Sequence, residues 1–135
     1  MAYPQFEDLK VWQKARELSV ATSTVLVSCV DDRIKEQLQR DSLTILNNIA
    51  KGYERKGSHE FDRFLYIARG YCGEYKSTLY VAEDLQCITP EQRLALYETC
   101  TDIAKMLSGL IKHLKEDHTS HAPEVKVVEA SASAA

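Results

Sequence analysis

Apolar residues recur at three- and four-residue steps along most of this chain, the spacing that gathers them on one face of a helix. Over 7–30 the stripe is Val11, Ala15, Leu18, Thr22, Val25, Leu26 and Cys29. A second stripe begins at "VDDRIKEQLQ", where Asp31 or Asp32 can cap the helix, and runs through Ile34, Leu38, Ile45 and Ile49. The third is Phe61, Phe64, Leu65, Ala68, Cys72, Tyr75, Leu79 and Ala82. "ITPEQ" then announces a fourth helix: Thr89 as N-cap, Pro90 at the first helical position and Gln92 closing a capping box. Its stripe is Leu96, Cys100, Ile103, Leu107, Leu110, Ile111 and Leu114. Four amphipathic helices of roughly 25 residues with short connections predict an all-α, antiparallel up-down-up-down four-helix bundle. No strand pattern competes. The bundle is expected over residues 1–116, with 117–135, which has no aromatic residue and no stripe, as a disordered tail.

The stretch "NNIAKGYERKGSHEF" at 47–61 separates the second and third patterns and mixes glycine with cations. It lacks the G-x-x-x-x-G-K-[ST] spacing of a nucleotide loop, and no strand precedes it. Each residue has a structural use. Lys51, Arg55 and Lys56 suit the negative end of the second helix, and Gly57 suits the position just past it. Ser58 can cap the third helix, with Glu60 and Asp62 near its start. The stretch is therefore a hairpin turn, and its cations are the available phosphate contacts.

Composition narrows the class. At 135 residues, 44% hydrophobic and 27% charged, the chain is one ordinary globular domain. It has no apolar run long enough to span a bilayer and no secretory leader core, so a cytoplasmic protein without membrane attachment is expected. The net charge is −3, with a small basic excess over 33–76 and an acidic excess over 83–135. A strongly basic nucleic-acid binder would look different. Cys29, Cys72, Cys87 and Cys100 are never closer than 13 positions and form no C-x-x-C, so all four are read as structural.

Candidate chemistry is sparse. The di-metal carboxylate bundle needs Glu-x-x-His on two helices, and no Glu here has a His three residues on. Inward-facing positions carry no carboxylates at matching depth. His113, His118 and His121 lie near or in the tail, where histidines are mostly solvated, and Ser58, His59 and Glu60, adjacent in a helix's first turn, point in different directions and cannot form a catalytic relay. No catalytic residue, metal ligand or cofactor site is nominated; an enzyme is not expected.

One surface does not belong to the core. Tyr66, Gly70, Gly73, Ser77 and Tyr80 fall opposite the core stripe of the third helix, and Leu43, Leu46 and Ala50 widen the apolar face of the second. Helix-interior glycine costs about 1 kcal/mol relative to alanine, so two on an outward face ask for a reason: cover for a wide or uneven intramolecular core or, the favoured reading, close contact with a partner. The expected interface residues are Tyr66, Gly70, Gly73, Ser77, Tyr80, Leu43 and Leu46, most simply between copies of the chain. The rival is an accessory nucleic-acid-binding surface built from Arg40, Lys51, Arg55, Lys56 and Arg63; the net negative charge of each copy opposes it.

"FEDLKVWQKARELSV" at 6–20, "NNIAKGYERKGSHEFDRFLYIARGYCGE" at 47–74 and "ITPEQ…IAKMLSGLIKHL" at 88–114 together resemble the family of proteins encoded within bacterial 23S rRNA intervening sequences. The resemblance implies an antiparallel four-helix bundle that assembles into a homo-oligomeric ring, typically a pentamer. It also implies kinship with the accessory protein of diversity-generating retroelements, which works with a reverse transcriptase and nucleic acid. Its recurring positions fall on Phe6, Leu9, Trp12, Asn48, Ile49, Gly52, Tyr53, Glu60, Phe61, Phe64, Leu65 and Glu74, taken as fold- and assembly-determining. Departures stand at Gln39 for arginine, Leu46 for proline and Lys51 for glutamate. The first weakens a nucleic-acid role, and the second implies a straighter second helix. The resulting expectation is a non-enzymatic ring-forming scaffold or adaptor with a possible protein partner.

Overall fold

The computed structural model describes residues 5–121. Four helices, α1 (Lys10–Val25), α2 (Asp32–Glu54), α3 (Ser58–Asp84) and α4 (Pro90–His121), pack as an antiparallel bundle in which each helix touches its neighbours in the chain and α1 closes on α4. Among the described residues there is no strand. Most of the four expected stripes form one continuous core, joined by Leu9, Ile88 and Ala104; Val25 and Leu110 are only partly covered, and Phe64, though buried, stands outside that cluster.

The first helix is shorter than its stripe. A 3-10 turn, Phe6–Asp8, precedes it and another, Leu26–Ser28, ends it, after which Cys29 is extended. The cause lies in "VATSTV", where β-branched residues are crowded and two threonines bond backward. Thr22 Oγ1 donates to the Leu18 carbonyl at 2.6 Å and Thr24 Oγ1 to that of Val20 at 2.9 Å. Helix α4 runs past the expected boundary at Asp117 to His121. The rest of the expected tail, from 122, lies outside the described residues.

The caps follow local chemistry. Asp31 accepts from the Ile34 N–H at 3.2 Å, and Thr89 and Gln92 make the reciprocal capping box, both bonds 3.0 Å. The α2–α3 turn departs from expectation. Lys56, not Gly57, takes the left-handed conformation at φ 61°, while Gly57 is extended and is the N-cap of α3, which begins at Ser58. Ser58 is thus the first helical residue rather than the cap. At the end of α3, Gln86 is also left-handed, and the Gln86 and Cys87 N–H groups donate to the Glu83 and Ala82 carbonyls at 2.9 and 2.8 Å. That pair of bonds is a Schellman closure.

Helices α2 and α3 share the most extensive interface of the bundle. Their close approach is centred on Gly52, where a Cβ would lie 2.6 Å from Phe64 Cβ and 3.3 Å from Phe61 Cδ1. Tyr53 packs edge-on against Phe61 with centroids 5.6 Å apart. Alanine at position 52 would gain about 1 kcal/mol of helix propensity but overpack by about 1–3 kcal/mol, because Phe64 Cβ cannot swing aside. Gly52→Ala is therefore expected to lower the urea midpoint. Gly109→Ala, on an exposed face of α4 where an added Cβ meets nothing within 4 Å, is expected to raise it.

Candidate functional site

Two exposed regions and one buried cluster carry the unusual chemistry. The first region is the outward stripe of α3. Tyr66 and Tyr80 are 36% and 48% exposed, and Gly70, Gly73 and Ser77 between them are exposed too. A Cβ added at Gly70 or Gly73 meets nothing within 4 Å among the described residues, so neither glycine serves the intramolecular packing. The tyrosines lean toward α4. Tyr66 has Arg69 and Lys115 over its ring at 5.0 and 5.2 Å, and Tyr80 has Arg93 at 5.0 Å and the Tyr97 ring at 5.7 Å. Arg93 is held there by Glu83 at 2.7 Å. Leu43 is 48% exposed on α2, beside Ser42, which faces Ser19 of α1 at 3.4 Å. Leu46 differs from the reading of it as a free contact, since it packs partly buried against the core.

The second region lies at the α2–α3 hairpin. Lys51, Arg55 and Arg63 converge on the Phe64 ring, at 5.6, 5.6 and 4.9 Å from its centroid. Two more cations, Arg69 and Lys115, lie over Tyr66 on the α4 side of the same helix and were not singled out from the sequence. Glu60 neutralises part of it, 3.6 Å from Arg55 and 3.3 Å from Arg63. Lys56 is exposed in the turn. Arg40 does not join: eleven residues before Lys51, it is some three helical turns away and donates to Gln37 Oε1 at 3.5 Å.

The buried cluster holds one inward carboxyl that the sequence reading passed over, facing Glu74, which is exposed at the rim of the seam. Asp41 is fully buried, on the stripe between Leu38 and Ile45. Its Oδ1 accepts from Gln37 Nε2 at 3.0 Å, and the same nitrogen donates to Glu74 Oε2 at 2.8 Å. Desolvation first, then a hydrogen bond with Glu74, push the Asp41 carboxyl up to about 7. Beside this pair Tyr75, also fully buried, meets Thr22 Oγ1 at 2.6 Å. Because Thr22 donates onward to the Leu18 carbonyl, the phenol is the donor to Thr22. Spacing alone held the signal: positions 34, 38, 41, 45 and 49 are one helical face, with a charge in the middle.

The fold also pairs the four thiols. Cys29 and Cys87 interact across 58 positions, and Cys100 Sγ lies 3.5 Å from the Cys72 carbonyl. Burial first, then the Cys29 contact, push the Cys87 thiol up to about 11. Its hydrogen bond with Cys72 first, then burial, raise that of Cys100. These two sulfurs are thus thiols at neutral pH and poor nucleophiles. Among the described residues, no group of three or more His, Cys, Asp or Glu side chains is placed to hold a metal ion. The side chains of His118 and His121 lie outside that description. A cavity of about 550 Å³ opens between the end of α1 and the α3–α4 turn, bordered by Val25, Ser28, Glu83, Cys87 and Gln92.

The family model for the 23S rRNA-intervening sequence protein matches residues 7–109. The chain belongs to that family. The crystal structure of a protein of unknown function from the S23 ribosomal protein family of Bacteroides thetaiotaomicron superposes with a TM-score of 0.70. The two are 24% identical, and the match covers 76% of this chain and 96% of the other, a likeness of fold. No curated protein matches the chain. Among the described residues of this family member, no helix is long and apolar enough to cross a membrane.

Exposure separates the thiols. At pH 7.5 an aromatic disulfide reagent is expected to titrate Cys87 alone in the native protein, and the other three only on unfolding. The native rate should climb about tenfold per pH unit toward pH 11, since the thiolate is the reacting species. Rapid native modification of two or more thiols would contradict the burial of Cys29, Cys72 and Cys100.

Proposed function

We propose that this member of the 23S rRNA-intervening sequence protein family is a non-enzymatic scaffold whose copies assemble into a ring, a homopentamer, through the outward stripe of α3. The observation that carries the reading is the pair of open glycines at 70 and 73, framed by the exposed rings of Tyr66 and Tyr80. Each glycine costs the helix about 1 kcal/mol, and the space its missing Cβ leaves is filled by none of the described residues. A second copy approaching the backbone closely there would offset that cost, with tyrosine supplying rigid, amphipathic contact area. Leu43 supports a ring over a two-fold dimer. Its neighbour Ser42 faces α1, whereas the stripe borders α4, and contact between two different patches generates a ring where the rotation between copies closes. The ring would present the remaining faces to a protein partner in the cytoplasm.

Native mass spectrometry of the full chain tests this directly. The expected mass is five times 15.3 kDa. Gly73→Leu is expected to give a folded monomer, because a Cβ at that position meets nothing within 4 Å among the described residues. A monomeric wild-type protein at micromolar concentration, or a Gly73→Leu variant that keeps its assembly, would reject the reading.

A second reading, an accessory nucleic-acid-binding protein like that of diversity-generating retroelements, is favoured by the cations gathered on Phe64. Three cations around one ring, two of them paired with Glu60, make a local basic surface on a chain of net charge −3. Phosphate contacts of this type weaken steeply with salt. Titration with a short fluorescent single-stranded RNA should show binding at low salt that fades at moderate salt. Lys51→Ala and Arg63→Ala should each lower the salt slope by about one contact. Absent or salt-insensitive binding would remove this reading.

A further inference from the structure

We propose that Asp41 and Glu74 bind one proton between them, so that the middle of the α2–α3 seam is a proton-binding site that loosens as the proton leaves. The geometry calls for it. Asp41 is wholly buried, yet its Oδ2 has no hydrogen-bond donor among the described residues. The oxygens of Glu74 are within hydrogen-bonding reach of Asp41, but two carboxylates are both acceptors and cannot bond to each other. Gln37 cannot resolve the conflict. Its Nε2 already bridges Asp41 Oδ1 and Glu74 Oε2, and its Oε1 is turned toward Arg40. A proton on Asp41 turns that orphaned acceptor into a donor to Glu74 and removes the one unmet hydrogen bond of the buried carboxyl.

The surroundings favour that proton over a second negative charge. On α2, Arg40 is the cation near Asp41 and opposes the effect, but it is exposed. Helix α3 presents the carboxylate of Glu74 and the phenol of Tyr75. Helix α4 presents the thiol of Cys100, and α1 contributes the neutral Thr22 hydroxyl that receives the Tyr75 proton. Lys76, next to Tyr75 on α3, acts on the same Cys100 but is turned to α4, donating to Thr101 Oγ1 at 3.3 Å, which leaves Arg40 as the cation that acts on Asp41.

The sign of the pH dependence follows. The unfolded Asp41 carboxyl releases its proton near 3.8, and the folded one near 7, about a thousandfold difference in proton affinity. Between those values the folded chain holds a proton that the unfolded chain has lost. Stability therefore falls as pH rises from about 4 to 7, and levels off above. Above neutrality two carboxylates face each other across the seam, and α2 and α3 part most readily there.

The experiment is a carboxyl-carbon NMR titration of the full chain labelled at aspartate, with the Asp41 signal assigned by its loss in Asp41→Asn. A midpoint near 7 that drops by a unit or more in Glu74→Gln supports the shared proton. A midpoint below 5 overturns it, as does a high midpoint that Glu74→Gln leaves in place, for then burial acts alone. Should magnesium or calcium ions at millimolar concentration displace the proton, the cluster is a cation site instead. Thermal unfolding gives an independent readout: the wild-type protein should lose stability between pH 5 and 8 more steeply than Asp41→Asn. Parallel curves would count against the proposal. Should Asp41→Asn fail to fold, assignment by neighbouring-residue correlations and Glu74→Gln carry the same test.

Discussion

The backbone of α2 at Gly52 lies against Phe64, close enough that no Cβ fits between them, and the rest of the bundle is registered on that contact. A close approach of two long helices at one point fixes which residues oppose each other along the whole antiparallel seam. Eleven residues back along α2 from Gly52 is Asp41, and ten residues on along α3 from Phe64 is Glu74, bridged by the amide of Gln37. In the other direction the same contact brings the Phe64 ring to Lys51, Arg55 and Arg63. The basic cluster and the proton-sharing pair are thus two consequences of a single packing decision.

The glycines divide by this criterion. At position 52 the missing side chain is occupied by a neighbour in the same chain, and the lost helix propensity returns as interhelical packing. At 70 and 73 the space is empty, and the same loss of about 1 kcal/mol each has no return inside the monomer. Residue type alone does not separate the two cases. What separates them is whether the face belongs to the core stripe, and on α3 the stripe through Phe61, Leu65, Cys72 and Tyr75 leaves 70 and 73 on the far side.

Periodicity made the architecture legible because burial of apolar side chains is what assembles a bundle, and nearly every residue of the four stripes is in the core. Caps were legible where a side chain does the capping, as at Asp31 and Thr89. They were not where backbone strain is accepted: Lys56 and Gln86 adopt left-handed conformations that a sequence rule assigns to glycine. The end of α1 was overrun because apolar spacing continues through Val25 and Leu26 into Cys29, while the β-branched crowding that ends the helix leaves no gap in the stripe. Of the site, the α3 stripe and the hairpin cations could be read from one helix at a time. Lys115, the Cys29–Cys87 pair and the Asp41–Glu74 pair are meetings of distant segments, and spacing along the chain is silent on those.

Asp41 is the instructive omission, because the pattern that found the core excluded it by chemistry. A carboxyl on an apolar stripe is ordinarily read as a stripe that has turned away, since ionised aspartate in a core is too costly to keep. The cost vanishes if the group stays neutral, and here Glu74 and Gln37 supply the partners that a neutral carboxyl needs. With Thr22 and Tyr75 alongside, the bundle carries a polar layer across α1, α2 and α3 where hydrophobic packing would have been simpler. A layer whose bonds close in one register opposes slippage of α2 along α3, which uniform apolar faces would permit. Glu74 directly follows Gly73 of the exposed stripe, so a change of charge at the seam acts one residue from the surface through which copies would meet. Stability of the seam and assembly through α3 are then not independent properties of this chain.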